Sequence, residues 1–230
     1  MLIGYAPEAT YSAEGPMIYL KQSFNLEPAA PSTRDQFIEA MNEHVLPANG
    51  RLGARLVAAW FAHEEWFTQV IHVTEFDDLA ALGVYRDAAA EDTQASEGAA
   101  TLEGLAPGQH LEIIEPLGPV PVETLHTAIK DSADKPAGTY QFAILEVAPG
   151  RMADFKKLLG GAAAQLPIIA AWNDVTGNPN RVIDLWKGDT GRHGYSPNDP
   201  GQEAFFGPLR QIAPREKMMR LHVMPYSPLR

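Results

Sequence analysis

The sequence predicts an α+β protein: two βαββαβ units in tandem, their antiparallel sheets packed face to face as a barrel-like body. Three observations predict it. A hairpin signature occurs twice at one spacing, Ala58-Ala59-Trp60 followed ten residues after the Trp by Val70-Ile71-His72-Val73, and Ala170-Ala171-Trp172 by Val182-Ile183-Asp184-Leu185. Strand-like runs flank both hairpins, ending at Leu26-Glu27-Pro28 and Glu115-Pro116 in the first copy and at Val147-Ala148-Pro149 and Met224-Pro225 in the second. Strand and helix periodicities succeed one another in the same order in both.

From Met17 to Leu26, Ile18, Leu20, Phe24 and Leu26 alternate with Tyr19, Lys21, Ser23 and Asn25, a strand with one apolar face. Ser32 to Gln36 offers helix-capping residues, and Phe37, Met41, His44 and Val45 form a helical stripe up to Asn49-Gly50. Leu56 to Ala62 and Phe67 to Phe76 are β-rich runs around a polar turn at His63-Glu64-Glu65. Asp77-Asp78 starts a helix carrying Leu79, Leu82, Tyr85 and Arg86, which decays into an Ala, Ser and Glu run around residues 88–100. His110 to Glu115 is the fourth strand. Copy two repeats this with Tyr140 to Val147, a helix holding Met152, Phe155, Leu158 and Leu159, the Trp172 hairpin, a helix near Gln202 to Ile212, and a strand from Met218 to Met224.

Each copy is therefore a split-βαβ or ferredoxin-like unit, its sheet covered by helices on one face. Two such units leave two bare sheet faces, most cheaply buried against each other. The expected organisation is an extension over 1–16, a first unit over 17–117, a Pro- and Gly-containing linker over 118–137, and a second unit over 138–230 with a loop at 187–201.

Composition narrows the function classes. Forty-five per cent hydrophobic residues fill a sizeable core, and the absence of cysteine removes disulfides, thiolate nucleophiles and Cys-ligated metals. A net charge of −11 with scattered Lys and Arg argues against nucleic acid. The N-terminus lacks the basic region and apolar core of a secretory leader, and no long uninterrupted apolar run follows, so a cytoplasmic protein with no membrane partner is expected.

The second hairpin reads Trp172-x4-Gly177-x2-Asn180-x3-Asp184-Leu185-Trp186, which resembles the hairpin of NIPSNAP-type domains. Pro47 and Pro167 resemble the proline closing that family's first helix. The first copy departs from the pattern, with Glu65, Thr68 and Thr74 where Gly, Asn and the last Trp stand, while His72 keeps the polar position. The resemblance implies the dimeric α/β-barrel superfamily, here as a pseudo-dimeric barrel in one chain. That superfamily includes cofactor-free monooxygenases, isomerases, decarboxylases, lyases, haem enzymes and proteins without known chemistry, so it implies architecture more than activity.

In such units a pocket opens between helices and the helix-facing side of the sheet, which makes polar strand residues the candidates. Tyr19 and Lys21 share a face of the first strand with Ser23. His72 lies on a neighbouring strand, with Trp60 as its companion if the hairpin turn has an odd number of residues. His72 is then the acid or base, Tyr19 or Lys21 holds a phenolate or carboxylate, and Trp60 stacks on a ring. The alternative places Trp60 in the core and Tyr19 and Lys21 on the surface. Copy two offers Tyr140, Trp172 and Trp186 as substrate-binding residues and Asp184 with His222 as a proton-transfer pair, Arg220 supplying charge. Its alternative is an Asp184–Arg220 ion pair. The loop after Trp186 offers Arg192, His193 and Tyr195 as ligand-facing residues of a lid, or is a surface loop without consequence.

No His-Glu-x-x-His, Walker loop, Gly-x-Gly-x-x-Gly or Gly-x-Ser-x-Gly is present, so no metal and no cofactor is expected. Haem rests on superfamily analogy alone. The leading reading is a cofactor-independent lyase or isomerase using acid–base chemistry on a small, perhaps aromatic, metabolite. A non-catalytic ligand-binding or assembly protein and a cofactor-free monooxygenase are the alternatives. A tandem chain already pairs its own sheets, and further homo-oligomerisation is left open.

Overall fold

The computed structural model describes residues 17–63, 67–188 and 200–230. Each half follows the predicted order. The first half holds β1 (Ile18–Asn25), α1 (Pro31–Ala40), a π-helical turn (Met41–Val45), α2 (Leu46–Leu52), β2 (Arg55–Ala62), β3 (Gln69–Phe76), α3 (Leu79–Glu91), α4 (Thr93–Leu105) and β4 (Gly108–Pro116). After α5 (Val122–Asp134), the second half holds β5 (Thr139–Glu146), α6 (Met152–Ala163), β6 (Ile168–Asp174), β7 (Arg181–Lys187), α7 (Pro200–Ile212) and β8 (Arg215–Val223).

The strands form one closed barrel in the order β1-β3-β2-β8-β5-β7-β6-β4. Its pairs are antiparallel. The expected pair of facing sheets is thus joined at both edges, which leaves no open sheet edge. The two hairpins match in detail: Trp60 pairs with Ile71 and Trp172 with Ile183, and each hairpin has a register shift at the same place, Leu56/Ala58 and Ile168/Ala170.

Alternation along each strand divides two environments. Tyr19, Trp60, Ile71, Tyr140, Phe142, Trp172, Ile183 and Leu221 form one buried cluster drawn from both halves, the barrel interior. Edge-on ring contacts knit it, with Trp60 5.2 Å from Phe142 and Tyr19 5.6 Å from Trp172. Phe24, Phe37, Met41, Val70 and Leu102 form a second cluster between the first half's strands and helices, and Phe155, Leu159, Val182 and Trp186 a third in the second half.

Three expectations change. The segment read as a linker contains α5, whose Leu125 and Ala128 join the barrel cluster. The Ala, Ser and Glu run is a second helix, α4, begun when Asp92 Oδ1 accepts from the Ala95 N–H at 2.8 Å. Pro47 does not close the first helix. It stands in the first turn of α2, where its missing N–H costs nothing, and the π turn carries the chain from α1 into it. Pro167 does follow α6 and directly precedes β6. Among the described residues, no helix is long and apolar enough to cross a membrane.

Candidate functional site

A cleft of about 620 Å³ opens between the outer face of the first half's strands and the π turn with helices α2–α4. Strand alternation supplies its floor. Leu20, Gln22 and Phe24 of β1 and His72, Thr74 and Phe76 of β3 all face outward into it. Met41 and Val45, both in the π turn, form one wall. Ala89 and Ala90 of α3 with Ala95 and Ala99 of α4 also line the cleft, and their short side chains help leave the space unfilled.

Gly98 lets α4 approach the π turn. A β-carbon there would stand 2.9 Å from Val45 Cγ2 and 3.0 Å from His44 Cβ. Arg51 on α2 ties down the start of α4, donating to Gln94 and Asp92, each at 2.7 Å.

His72 is the buried polar residue at the base of the cleft, 5% exposed. Its Nε2 lies 2.8 Å from the Tyr226 hydroxyl, and the rings of Phe24, Phe37 and Tyr226 surround the imidazole at 5.0–6.0 Å. Burial pushes its pKa down to about 3, so the imidazole is neutral across the physiological range. Nδ1 has no partner among the described residues. Burial likewise raises the Tyr226 hydroxyl well above its ordinary value and keeps it a phenol. Nearby, Gln22 Nε2 donates to Gln109 Oε1 at 2.9 Å, and the Tyr85 hydroxyl donates to Asn49 Oδ1 at 2.8 Å.

The remaining sequence candidates do not gather around His72. Trp60 pairs with Ile71 while His72 pairs with Ala59, so Trp60 faces the barrel interior. An even number of residues joins Ala62 to Gln69, which reverses the odd-turn expectation. Tyr19 and Lys21 also point inward, opposite to Gln22. Burial and the Glu75 carboxylate raise the Tyr19 pKa well above the ordinary value. Lys21 meets Glu112 at 2.5 Å, and Glu112 also holds Arg181, which bonds Asp174 at 2.6 Å. This is an ion network within the barrel wall. Tyr140 and Trp172 are core residues, the Tyr140 hydroxyl donating to the Arg230 carbonyl at 2.8 Å.

Asp184 and Trp186 do face the helices of the second half, but the corresponding space there is only about 20 Å³. Phe155, Leu158 and Leu159 of α6 and the Trp186 ring occupy it. Thr74 stands in the first hairpin where Trp186 stands in the second, and this exchange helps keep one space open and the other closed. Asp184 is 4% exposed, and its Oδ1 has no hydrogen-bond partner. Burial, reinforced by Glu216, pushes its pKa up to about 8. No ion pair joins it to Arg220, and His222 lies exposed on β8 beside Thr139 and Phe61 rather than against Asp184. His193 and Tyr195 lie outside the described residues, as does the 1–16 extension.

Sequence reasoning missed Tyr226, Gln22, Gln109 and the Ala-rich wall. Outward alternation on β1 could have exposed Gln22, since it shares a face with Leu20 and Phe24. Tyr226 had no signal, because it follows β8 and reaches His72 only through barrel closure.

Residues 28–116 match the NIPSNAP family model. A search of curated proteins finds no match. Among solved structures, a proposed monooxygenase from Fusobacterium nucleatum subsp. nucleatum ATCC 25586 superposes with a TM-score of 0.59 at 10% identity, over 91% of this chain and 93% of that one. An anthrone oxidase-like protein gives 0.57 at 13% identity, over 93% and 94%. A proposed monooxygenase from Lactobacillus acidophilus NCFM gives 0.55 at 12%, over 90% and 93%. At such identities the likeness is one of fold, the α/β barrel.

Proposed function

We propose that the first-half cleft is the active site of a cofactor-independent enzyme working by acid–base chemistry, of lyase or isomerase type, on a small aromatic metabolite. The observation that carries this reading is His72: a buried neutral imidazole, one nitrogen engaged by Tyr226 and the other left to the cleft. In the tautomer that donates Nε2–H to the Tyr226 oxygen, Nδ1 presents a lone pair to a bound molecule. Alone it is a weak base. A ligand that becomes anionic on losing its proton stabilises the imidazolium formed beside it, which strengthens the base where the charge develops.

We further read the chain as a tandem duplication, with ferredoxin-like units over 17–117 and 138–230. The matched strand order, Trp pairings and bulges support this reading. The second unit has closed its pocket and acts as a scaffold.

A cofactor-free monooxygenase is the second reading. It shares the first step, since a carbanion or phenolate formed at His72 is the electron-rich species that oxygen attacks. The aromatic surround of the imidazole and the names of two structural neighbours favour it.

A thermal-shift screen of aromatic metabolites on the wild type, His72→Ala and His222→Ala tests the site, because a ligand that binds only the folded state raises the melting temperature. Hits lost in His72→Ala and kept in His222→Ala are expected. A hit that survives His72→Ala removes the cleft from consideration. Turnover of the hits with and without oxygen then separates the two enzymes, and binding without turnover in either condition leaves a ligand-binding protein.

A further inference from the structure

We propose that the cleft is built for an aromatic monocarboxylate, ring inward and carboxylate on Arg86, an assignment that rests on the cleft being a ligand site. Its polar groups are graded by depth. At the rim, the exposed Arg86 of α3 lines the cleft and makes no hydrogen bond or ion pair with any described residue. Further in, the Gln22–Gln109 bond uses one donor and one acceptor and leaves Gln22 Oε1 and Gln109 Nε2–H for a ligand. At the base, His72 offers Nδ1. Charge is confined to the mouth, while the inner groups are neutral.

A guanidinium with no ion-pair partner among the described residues, at a cleft in a chain of net charge −11, is a ready seat for an anion. Its planar fork matches a carboxylate in two parallel hydrogen bonds, a geometry that an ammonium group cannot copy. Between rim and base, Phe24 and Phe76 on the strands face Leu102 and the short alanines on the helices, a slot suited to a flat ring. Glu103 of α4 is the other charge lining the cleft, and it forms no salt bridge with Arg86. It repels a second negative charge at the same mouth, which restricts the ligand to a monoanion.

The test uses the full chain and titration calorimetry with 2-naphthoate, 2-naphthamide, 2-naphthylmethylammonium and naphthalene-2,6-dicarboxylate. Naphthoate is expected to bind roughly tenfold or more tightly than the amide, a gap set by one charge-assisted contact. The dicarboxylate and the ammonium probe bind more weakly than naphthoate. Arg86→Gln erases the preference for naphthoate over the amide, and Arg86→Lys keeps part of it.

Ala99→Trp, which fills the slot, separates the two levels of the argument. If it abolishes binding but the head groups bind alike, or Arg86→Gln binds naphthoate as the wild type does, the cleft reading stands and the carboxylate assignment is overturned. If binding survives Ala99→Trp, or none of the probes binds at millimolar concentration, both fall together.

Discussion

Asp184 shows at the scale of one residue how the second half differs from the first. It holds the place that His72 holds in the first, with one face of the carboxyl unsatisfied and no space for a ligand beside it. A carboxyl whose pKa rises from about 3.8 in the open chain to about 8 in the fold is held protonated by folding. Such a group adds stability below the open-chain value and loses it as pH climbs through the interval up to the folded value. At neutral pH the native carboxyl is therefore a net cost. Asp184→Asn keeps the size and removes the titration, and is expected to raise stability at pH 7 by on the order of 1–4 kcal/mol. The gain shrinks towards pH 4, where the open-chain carboxyl begins to take up a proton as well. Urea denaturation of both proteins between pH 4 and 8 measures it, and parallel curves across that range would show that the carboxyl does not titrate with folding. His72 carries the opposite shift, so it costs stability as pH falls from 6.5 to about 3, a window that overlaps the lower part of the Asp184 interval; both proteins keep His72, so its contribution cancels in the difference between them.

Elements with strong periodicity were legible, and those defined by a neighbour were not. Alternation on β1 and the doubled Trp hairpin gave the βαββαβ order, because one buried face writes itself directly into a strand. The face on which His72 lies relative to Trp60 depended on the parity of one polar turn, and no residue type announces parity. Helix α4 was unreadable for a related reason. Its inward face is Ala95, Gly98, Ala99 and Leu102, so only one large side chain marks the buried face, because the helix lines a space and crosses a π turn closely. Gly98 makes this testable. In an open helix, replacing Gly by Ala adds about 1 kcal/mol of stability. Here the added methyl meets His44 Cβ, which belongs to a helical turn and cannot swing aside, so Gly98→Ala is expected to lower stability by about 1–2 kcal/mol. The same displacement of α4 moves Ala95 and Ala99 and weakens ligand binding. A melting temperature above the wild type would mean that α4 sits free of the π turn in solution.

At the scale of the whole molecule, the cleft of the first half depends on a segment that follows the last strand of the second. β2 and β8 share only the register pairs Trp60–Val223 and Phe61–His222, whereas β5 and β8 pair along their length. The rest of the seam is closed by residues 224–229. Met224 N–H donates to the Ala59 carbonyl at 3.0 Å, Leu229 N–H to the Val57 carbonyl at 3.2 Å, and Ala59 N–H to Ser227 Oγ at 2.9 Å. Ser227 passes the chain of bonds on to the Leu229 carbonyl at 2.7 Å. Tyr226 sits within this stitch, and Ala59 is the residue paired with His72, so closing the barrel and presenting His72 to the cleft are one arrangement. Ser227 itself does not line the cleft. Ser227→Ala leaves the Ala59 N–H buried without an acceptor, which costs about 1–3 kcal/mol. It also frees Tyr226 from its neighbour's anchor. The expected outcome is a lower melting temperature together with weaker binding of any cleft ligand, while Asp184→Asn changes stability alone. If Ser227→Ala lowered the melting temperature and left affinity untouched, His72 would be positioned by the first half without help, and the seam would serve stability only.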